Sequence, residues 1–210
     1  MTKAERTRQN IIQSAEKLFA QKGFRAMTLR DVTQDAGVNL ASVNYHFGSK
    51  SALMHAVMRK HIEPVNRERL IRLDHLIAEY FPAPIPLDKI FDALFRPLFE
   101  HAAQGNLPQL MSRVMTEPVD FMRNLHKEFF AELSQRFLVE LKRCCPQLTE
   151  QERQYRFFLS VSTMIGTIIE QGRLENISSG KLHGQNTDII LTQLTAYVVA
   201  GFQQFEPSNQ

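Results

Sequence analysis

Two short amphipathic segments joined by one glycine, early in the chain, constrain the fold more than any other feature. Thr28 and Asp31 form a Ser/Thr-x-x-Asp/Glu capping signal, which predicts a short helix that begins after Thr28. Gly37 ends that helix, because glycine adopts the left-handed conformation at low cost. Asn39 caps a further helix that runs to about His46. Two short helices joined by a tight glycine turn are typical of a helix-turn-helix, whose second helix enters the major groove of DNA.

Longer helices are predicted on both sides of this motif. Residues 3–22 carry apolar residues at three-to-four spacing, and Gly23 supplies a stop. Ser49 caps a fourth helix, whose inner face carries Leu53, Ala56 and Val57. Pro64 interrupts the pattern of this helix. Proline removes a backbone donor and clashes with the preceding turn, so a kink or a break is expected there.

The rest of the chain also repeats with the helical period. Pro82, Pro84 and Pro86 mark a linker, after which helices are predicted over 87–104, 107–115, 118–144, 149–173 and 187–205. The sequence shows no alternating strand pattern and no internal repeat. The chain is therefore predicted to be all-α.

Positive charge is concentrated near the N-terminus. Residues 1–50 hold eight Lys/Arg against four Asp/Glu, a net of +4, whereas the other 160 residues hold 17 against 18, a net of −1. A local basic excess suits a phosphate-binding face. A few surplus cations also occur on surfaces that are merely solvated, so charge alone leaves both readings open.

Several classes of protein are disfavoured by the sequence. No apolar run approaches the roughly 18 residues needed to cross a membrane, and the polar N-terminus lacks a signal peptide, which predicts a cytoplasmic protein. Cys144 and Cys145 are adjacent, and no Cys/His cluster has metal-ligand spacing, so no metal and no cofactor are expected. The sequence also contains no G-x-S-x-G elbow, Walker loop, H-E-x-x-H or dinucleotide-binding turn, and an enzyme is therefore not expected.

Residues 155–170 and 189–205 are apolar on more than one face of their predicted helices. A helix that is apolar most of the way round is buried on both sides. In a chain of this size, one side is expected to meet the core and the other a second copy of the chain. The predicted dimer-interface residues are Phe157, Val161, Ile165, Ile168, Leu194, Tyr197, Val198 and Phe202.

The run Gly37-Val38-Asn39-Leu40-Ala41-Ser42-Val43-Asn44-Tyr45-His46-Phe47-Gly48-Ser49-Lys50-Ser51-Ala52-Leu53 closely resembles the recognition segment of TetR-family regulators. Upstream residues fall where the head of that family places them: Ala15, Leu18, Phe19, Gly23, Phe24, Thr28, Leu29, Val32 and Ala36. The resemblance implies a homodimer of about nine helices per chain. It also implies a DNA-binding head over 1–50 and a ligand-binding and dimerisation domain over 51–210, linked by helix four.

Members of that family usually repress transcription, and ligand binding usually releases them from DNA. Many carry a tyrosine at the position of Asn44, whereas here Tyr45 follows one residue later. The base preference of better-known members therefore cannot be transferred. The run from Asn44 to Lys50 looks most like the branch that contains fatty-acid-responsive regulators.

Ten residues are predicted to contact DNA. Lys50 at the start of helix four is expected to contact a phosphate, since helix N-termini attract anions. Arg30 can reach a phosphate or a guanine edge. Thr28 caps helix two and can also contact a phosphate.

The outward candidates on helix three include apolar and polar side chains. Leu40 and Ala41 can meet thymine methyl groups, and Asn44 can read adenine. Tyr45 is expected on the DNA backbone, with packing against helix one as the alternative. The complete helix-three set is Asn39, Leu40, Ala41, Ser42, Asn44, Tyr45 and His46.

The C-terminal region is rich in Phe and Met, and the chain as a whole has 15 Phe, eight Met and no Trp. These side chains fill cores, but they also line adaptable apolar pockets that suit a long flexible ligand. Arg113 and His126 are polar residues on otherwise apolar stretches and can meet a carboxylate or acyl-thioester head. Arg113 can equally extend to solvent. The predicted ligand-binding residues are Phe91, Phe95, Phe99, Met111, Arg113, Met115, Met122, His126, Phe129 and Phe158.

The leading hypothesis is a repressor that binds a palindromic operator as a homodimer. It is released by a small hydrophobic effector, with a long-chain fatty acid or acyl-CoA as the first choice. One alternative is a repressor of an efflux pump that responds to hydrophobic drugs. Another is a lipid-binding helical protein with a non-functional head. The expected partners are double-stranded DNA, a second copy and the effector, and no membrane.

Overall fold

The computed structural model describes residues 2–103, 105, 107–182 and 186–203, and the regular structure in these ranges is entirely helical. No helix within them is long and apolar enough to cross a bilayer. The helices are α1 Lys3–Ala26, α2 Leu29–Ala36, α3 Leu40–Phe47, α4 Lys50–Tyr80, α5 Leu87–Ala102, α6 Leu107–Val114, α7 Val119–Phe129, α8 Ala131–Cys144, α9 Glu150–Ile169, α10 Gln171–Ile177 and α11 Thr187–Gln203.

The described ranges contain eleven helices, whereas about nine were expected, because two long predicted segments are interrupted. The segment 118–144 breaks between α7 and α8 at Phe130, where φ is −122° and ψ is −15°. The segment 149–173 breaks between α9 and α10 at Glu170, where φ is −104° and ψ is 27°. Neither break falls on a proline or a glycine, so neither carries a local sequence signal.

The helix α4 runs without a break through Pro64, contrary to one of the two outcomes expected there. A proline in a helix interior removes one backbone hydrogen bond, and the turns on both sides of it persist. Pro64 instead marks the border between two compact units. Unit 1 comprises Met1–Pro64 and Asn106–Phe129, and unit 2 comprises Val65–Gly105 and Phe130–Gln210. This division differs from the predicted boundary after residue 50, because α6, α7 and the first half of α4 group with the N-terminal helices.

Unit 1 has its core between α1, α2, α3 and the start of α4. Its fully buried apolar side chains include Ile11, Ala15, Phe19, Met27, Val32, Val43, Leu53, Met54 and Val57. The helix α1 is kinked at Gly23, where φ is 77° and ψ is 172°. The backbone N–H of Phe24, which this kink frees, donates to the Glu117 carboxylate over 2.8 Å. This hydrogen bond connects the end of α1 to the segment that follows α6 within unit 1.

The helix α5 lies at the centre of unit 2 and packs against α8, α9 and α11. Its buried residues are Ile90, Phe91, Ala93, Leu94, Phe95, Pro97, Leu98, Phe99 and Ala102. The Phe91 ring lies 5.4 Å from the Phe95 ring and 5.1 Å from the Phe202 ring of α11, measured between centroids. Each buried side chain of this size contributes about 1.5–3 kcal/mol to folding, so this aromatic cluster is a major stabilising element of the unit.

The two cysteines at the end of α8 are free thiols. Burial raises the pKa of Cys144 to about 12, and burial also raises the pKa of Cys145. Because the thiolate is the reactive form of cysteine, the raised pKa values disfavour reaction at either thiol.

Candidate nucleic-acid interface

Local hydrogen bonds build α2 as its sequence predicts. The Asp31 N–H donates to Thr28 Oγ1 over 3.1 Å, and the Thr28 N–H donates to Asp31 Oδ2 over 2.9 Å. These two bonds form the predicted capping box, and Gly37 closes the helix with φ 63° and ψ 35°. Hydrogen bonds from the Thr28 backbone and side chain lower the pKa of Asp31. The capped α2 leaves Thr28 and Arg30 exposed in its first turn.

The helix α3 is held at its start by Asn39, as predicted. Asn39 Oδ1 accepts the Ser42 N–H over 2.8 Å and the Ser42 hydroxyl over 2.9 Å. The oxygen of Asn39 and the hydroxyl of Ser42 are thus engaged with each other, whereas the amide nitrogen of the exposed Asn39 takes no part in this cap. Val43 is fully buried and attaches the helix to the core of unit 1.

The opposite face of α3 is exposed and uncharged. Leu40, Ala41, Asn44 and Tyr45 are exposed at i, i+1, i+4 and i+5, which is one face of a helix. The Tyr45 side chain is 85% exposed, so the alternative that it packs against α1 is wrong. Its ring instead meets the half-buried His46 ring edge-on, with centroids 5.1 Å apart. The four exposed side chains form a surface that can be presented to a groove.

Lys50, the first residue of α4, is positioned by the end of α1. Its Nζ lies 3.4 Å from the Arg25 carbonyl oxygen and 4.5 Å from the centroid of the Phe24 ring. An ammonium group over an aromatic face is attracted to the ring while keeping its charge. Sequence reasoning missed the roles of Phe24 and Arg25, because their contacts with Lys50 span about 25 positions and leave no periodic signal.

All four carboxylates of the first 50 residues are engaged within unit 1. Glu5 completes the cap of α1, and Asp35 lies 2.6 Å from Lys17 Nζ. Asp31 lies in the α2 cap and 3.4 Å from Lys22 Nζ, and Glu16 is bound from α4. Within the described ranges, the N-terminal cations that remain without a carboxylate partner are Lys3, Arg6, Arg8, Arg25, Arg30 and Lys50. The excess positive charge is therefore available to an external anion.

The buried Glu16 joins α1 to α4. The Lys60 Nζ lies 2.7 Å from one oxygen of Glu16, and the His61 Nε2 lies 3.1 Å from the other. Burial by itself raises the pKa of Glu16, but hydrogen bonds from His61 and Lys60 outweigh it and hold that pKa at about 2. The ionised carboxylate therefore ties the head to α4 at neutral pH.

A groove of about 510 Å³ opens near the end of α3, and Arg8, Phe47, His55, Arg59 and Glu128 are among its lining residues. Glu128 accepts hydrogen bonds from both His55 and Arg59. Arg8 lies over the Phe47 ring at 5.4 Å from its centroid. These contacts join α1 to α3 and α4 to α7 within unit 1.

The predicted ligand-binding residues are divided between the two units. Phe91, Phe95 and Phe99 are buried in unit 2, as a pocket or a core requires. Phe158 is 65% exposed and does not lie in a buried pocket lining. The other six lie in unit 1, namely Met111, Arg113, Met115, Met122, His126 and Phe129.

Arg113, predicted to meet a ligand head group, lies instead against the kink of α1. A Cβ added at Gly23 would come within 2.7 Å of Arg113 Nε, so the side chain fills the space that glycine leaves. Met115 and His126 are exposed. Spacing on α6 and α7 could not distinguish a pocket from this contact with α1, because both bury the same helix face.

The structure corrects most of the predicted dimer interface. Phe157, Ile168, Leu194, Val198 and Phe202 are buried within unit 2 of the same chain and are core residues, and Val161 and Ile165 are half-buried. Only Tyr197 of the predicted set is exposed, at 71%. The large apolar side chains that α9 and α11 do expose are Tyr155, Phe158, Leu159, Ile189 and Tyr197.

These exposed side chains belong to two packed helices. Arg156 Nη1 of α9 donates to the Gly201 carbonyl of α11 over 2.7 Å, which places the first turns of α9 beside the last turns of α11. Tyr155, Phe158 and Leu159 share one face of α9 at i, i+3 and i+4. An apolar surface of this kind on a folded unit is typical of a site of association.

No group of three or more His, Cys, Asp or Glu side chains is placed to hold a metal ion in the part of the chain that the structure describes.

Two family models match the chain. The model described as bacterial regulatory proteins of the tetR family matches residues 11–57, and the model described as the tetracyclin repressor-like C-terminal domain matches residues 92–201. The first match contains α2, α3 and Lys50. The two models together confirm the predicted arrangement of an N-terminal helix-turn-helix head followed by a helical domain.

The curated relatives are transcription regulators. The HTH-type transcriptional repressor KstR2 of Mycolicibacterium smegmatis is 28% identical over 130 residues, which is 58% of each chain. The first two curated relatives are matched over 28% and 58% of their length.

Solved structures share the fold over nearly the whole chain. The SmeT–triclosan complex has a TM-score of 0.64 at 15% identity, with 97% of this chain and 99% of that chain covered. The fatty acid degradation regulator FadR from Bacillus halodurans has a TM-score of 0.58 at 13% identity, with 95% and 97% covered.

Proposed function

The chain belongs to the TetR family of bacterial regulatory proteins, and from that premise we propose that it is a repressor that binds a two-fold-symmetric operator as a homodimer and leaves it when a hydrophobic effector binds. The observation that carries the proposal is the acid-free exposed face of the eight-residue α3, beside cations that have no internal carboxylate partner. Such a face fits the major groove, and the cations suit phosphates. The proposed regulator acts in the cytoplasm and has no enzymatic activity.

We assign direct base contacts to the exposed face of α3. The Asn44 amide can donate to and accept from the edge of one adenine, and Leu40 and Ala41 can meet thymine methyl groups. Tyr45 and His46 would contact the DNA backbone. Asn39 and Ser42, which bind each other, would hold α3 in register.

Phosphate contacts are assigned to the edges of the same surface. Lys50 lies at the start of α4, where the helix dipole also attracts anions. Arg30 and Thr28 lie exposed at the start of α2. Contacts with phosphates fix the position of a protein on the DNA duplex, but they do not distinguish one base sequence from another.

The dimer is proposed to form through the exposed apolar faces of α9 and α11. Phe158, Leu159 and Tyr197 would be its centre, replacing the buried residues that the sequence suggested. Isologous pairing of this surface gives a two-fold axis, and the two heads then read a palindrome.

For the effector we propose a long-chain fatty acid or its acyl-CoA, bound in the C-terminal domain. The aromatic residues of α5, Phe91, Phe95 and Phe99, support an apolar ligand of this size. The fold shared with the fatty acid degradation regulator FadR agrees with this choice. The fold shared with SmeT, solved with triclosan, supports a hydrophobic drug as the second candidate, with control of an efflux pump.

The experiment is a footprint of the purified chain on the DNA upstream of its own gene, without ligand and with oleate, oleoyl-CoA or a cationic dye. A palindromic footprint that disappears with the acyl compounds is expected. Disappearance with the dye alone would favour the drug-responsive alternative. The variant Asn44→Ala/Lys50→Ala should abolish the footprint, and Lys142→Ala, an exposed lysine of α8, is the matched control. A footprint that survives the double substitution would contradict the assigned interface.

A further inference from the structure

Arg69 is buried in the interior of unit 2. Only 3% of the residue is exposed, and it lies on the inward row of α4 between Val65 and Leu73, which are also buried. Residues at i, i+4 and i+8 lie on one face of a helix, so this face of α4 carries a guanidinium between two apolar side chains.

The guanidinium reaches three different partners, none of them an anion. Its Nε donates to the Leu94 carbonyl of α5 over 2.7 Å, and its Nη1 donates to Asn66 Oδ1 over 3.1 Å. Its Nη2 points at the sulfur of Met164 in α9, 3.6 Å away. A guanidinium has five N–H donors, and a thioether is a weak acceptor, so its donor capacity is incompletely used.

Arg69 has no carboxylate within 4 Å among the residues that the structure describes. Burial accordingly lowers its pKa to about 9. The buried carboxylate of Glu16, by contrast, has the Lys60 ammonium and the His61 ring within 3.1 Å. The buried Arg153 donates to the Leu148 carbonyl just before α9 and so fixes a local turn. Arg69 has no such local role, because two of its partners lie on other helices.

A buried cation without a counter-ion is costly unless an anion joins it. We infer that Arg69 is the anchor for the carboxylate of an amphipathic effector whose apolar tail lies among the side chains of α5. The inference rests on the proposed function and narrows its effector to the free acid. A guanidinium binds a carboxylate through two parallel hydrogen bonds, whereas the carbonyl of an ester or a thioester is uncharged and a cationic dye carries the opposite charge.

Met164 is the partner that a carboxylate would replace. Its side chain is flexible, and its contact with Arg69 is the weakest of the three. Met164 lies on α9, whose outer face carries Phe158 and Leu159 of the proposed dimer surface. Entry of the carboxylate would thus move a residue on the inner side of the helix that forms the dimer.

The test is calorimetric titration of the delipidated full chain with oleate, methyl oleate and oleoyl-CoA. Oleate should bind at least tenfold more tightly than methyl oleate, because one charge-assisted pair changes affinity by about ten- to a hundredfold. Arg69→Met should remove this preference. Arg67→Met, an exposed arginine of the same helix, should keep it.

Equal affinity of the unaltered chain for oleate and its methyl ester would overturn the inference, whether or not Arg69→Met folds. Tighter binding of oleoyl-CoA than of oleate would also overturn it. The same preparations are footprinted on the upstream DNA without ligand. If the unaltered chain gives no footprint, the proposed repressor is refuted. If it gives a footprint but binds oleate and methyl oleate equally well, only the role of Arg69 is refuted.

Discussion

Replacement of Glu16 by glutamine should destabilise the chain by about 2–3 kcal/mol at pH 7. The carboxylate is buried, and its pKa lies at about 2, well below the ordinary value of 4.5. A shift of this size corresponds to about 3 kcal/mol of interaction with the ionised form. The lower end of the range allows for Lys60, whose side chain is 46% exposed and can be solvated when its partner is lost.

The effect has a defined pH dependence. Because the pKa of Glu16 is lower in the folded chain, its stabilisation is complete above the unfolded pKa and is lost as the pH falls towards 2. The difference in the free energy of unfolding between the two chains should therefore fall to roughly half between pH 5 and pH 3. The side chains that face the carboxylate are Lys60 and His61.

Urea unfolding followed by far-ultraviolet circular dichroism measures this difference, since the chain has no tryptophan to report by fluorescence. Glu79→Gln, an exposed carboxylate near the end of α4, is the matched control and should change stability by less than about 0.5 kcal/mol. An effect of Glu16→Gln that is equal at pH 5 and pH 3 would refute the ionic explanation and leave packing as the cause.

Three further predictions concern single residues. Gly23→Ala should lower stability by about 1–3 kcal/mol in thermal unfolding, since the φ of this residue is 77° and the new Cβ would lie 2.7 Å from Arg113 Nε. Adding Arg113→Ala to the same chain should restore the part of the stability that is lost to this steric clash. If it restores none, the contact between the two residues is not the cause. Lys50→Ala should weaken operator binding and reduce the slope of log affinity against log salt concentration by about one. Gel-shift titrations between roughly 50 and 200 mM salt measure this slope, and an unchanged slope would exclude a phosphate contact. The double variant Phe158→Glu/Tyr197→Glu should convert a dimer to a monomer in size-exclusion chromatography with light scattering. The control Tyr45→Glu changes an exposed tyrosine of α3 and should leave the dimer intact. A dimer that persists in the double variant would place the interface elsewhere.

The sequence determined those features that depend on neighbouring residues. The capping box of Thr28 and Asp31, the left-handed Gly37 and the bond from Ser42 to Asn39 lie within a few positions of each other, and each was predicted. The helical period of the whole chain is local in the same sense. The all-α fold and the exposed face of α3 could therefore be predicted from the sequence alone.

Only the tertiary structure decided which sides of the apolar helices face inward. Phe157 and Phe158 are adjacent and chemically identical, yet the first is buried and the second is exposed, because α9 packs on α11 and α8 along one face only. A helix that is apolar all round gives the same periodicity for either choice. Arg67, Arg69 and Arg72 likewise look alike in the sequence, and only the packing of α5 and α9 around Arg69 separates it from water. Burial depends on residues that are far apart along the chain, and for that reason local sequence pattern does not contain it.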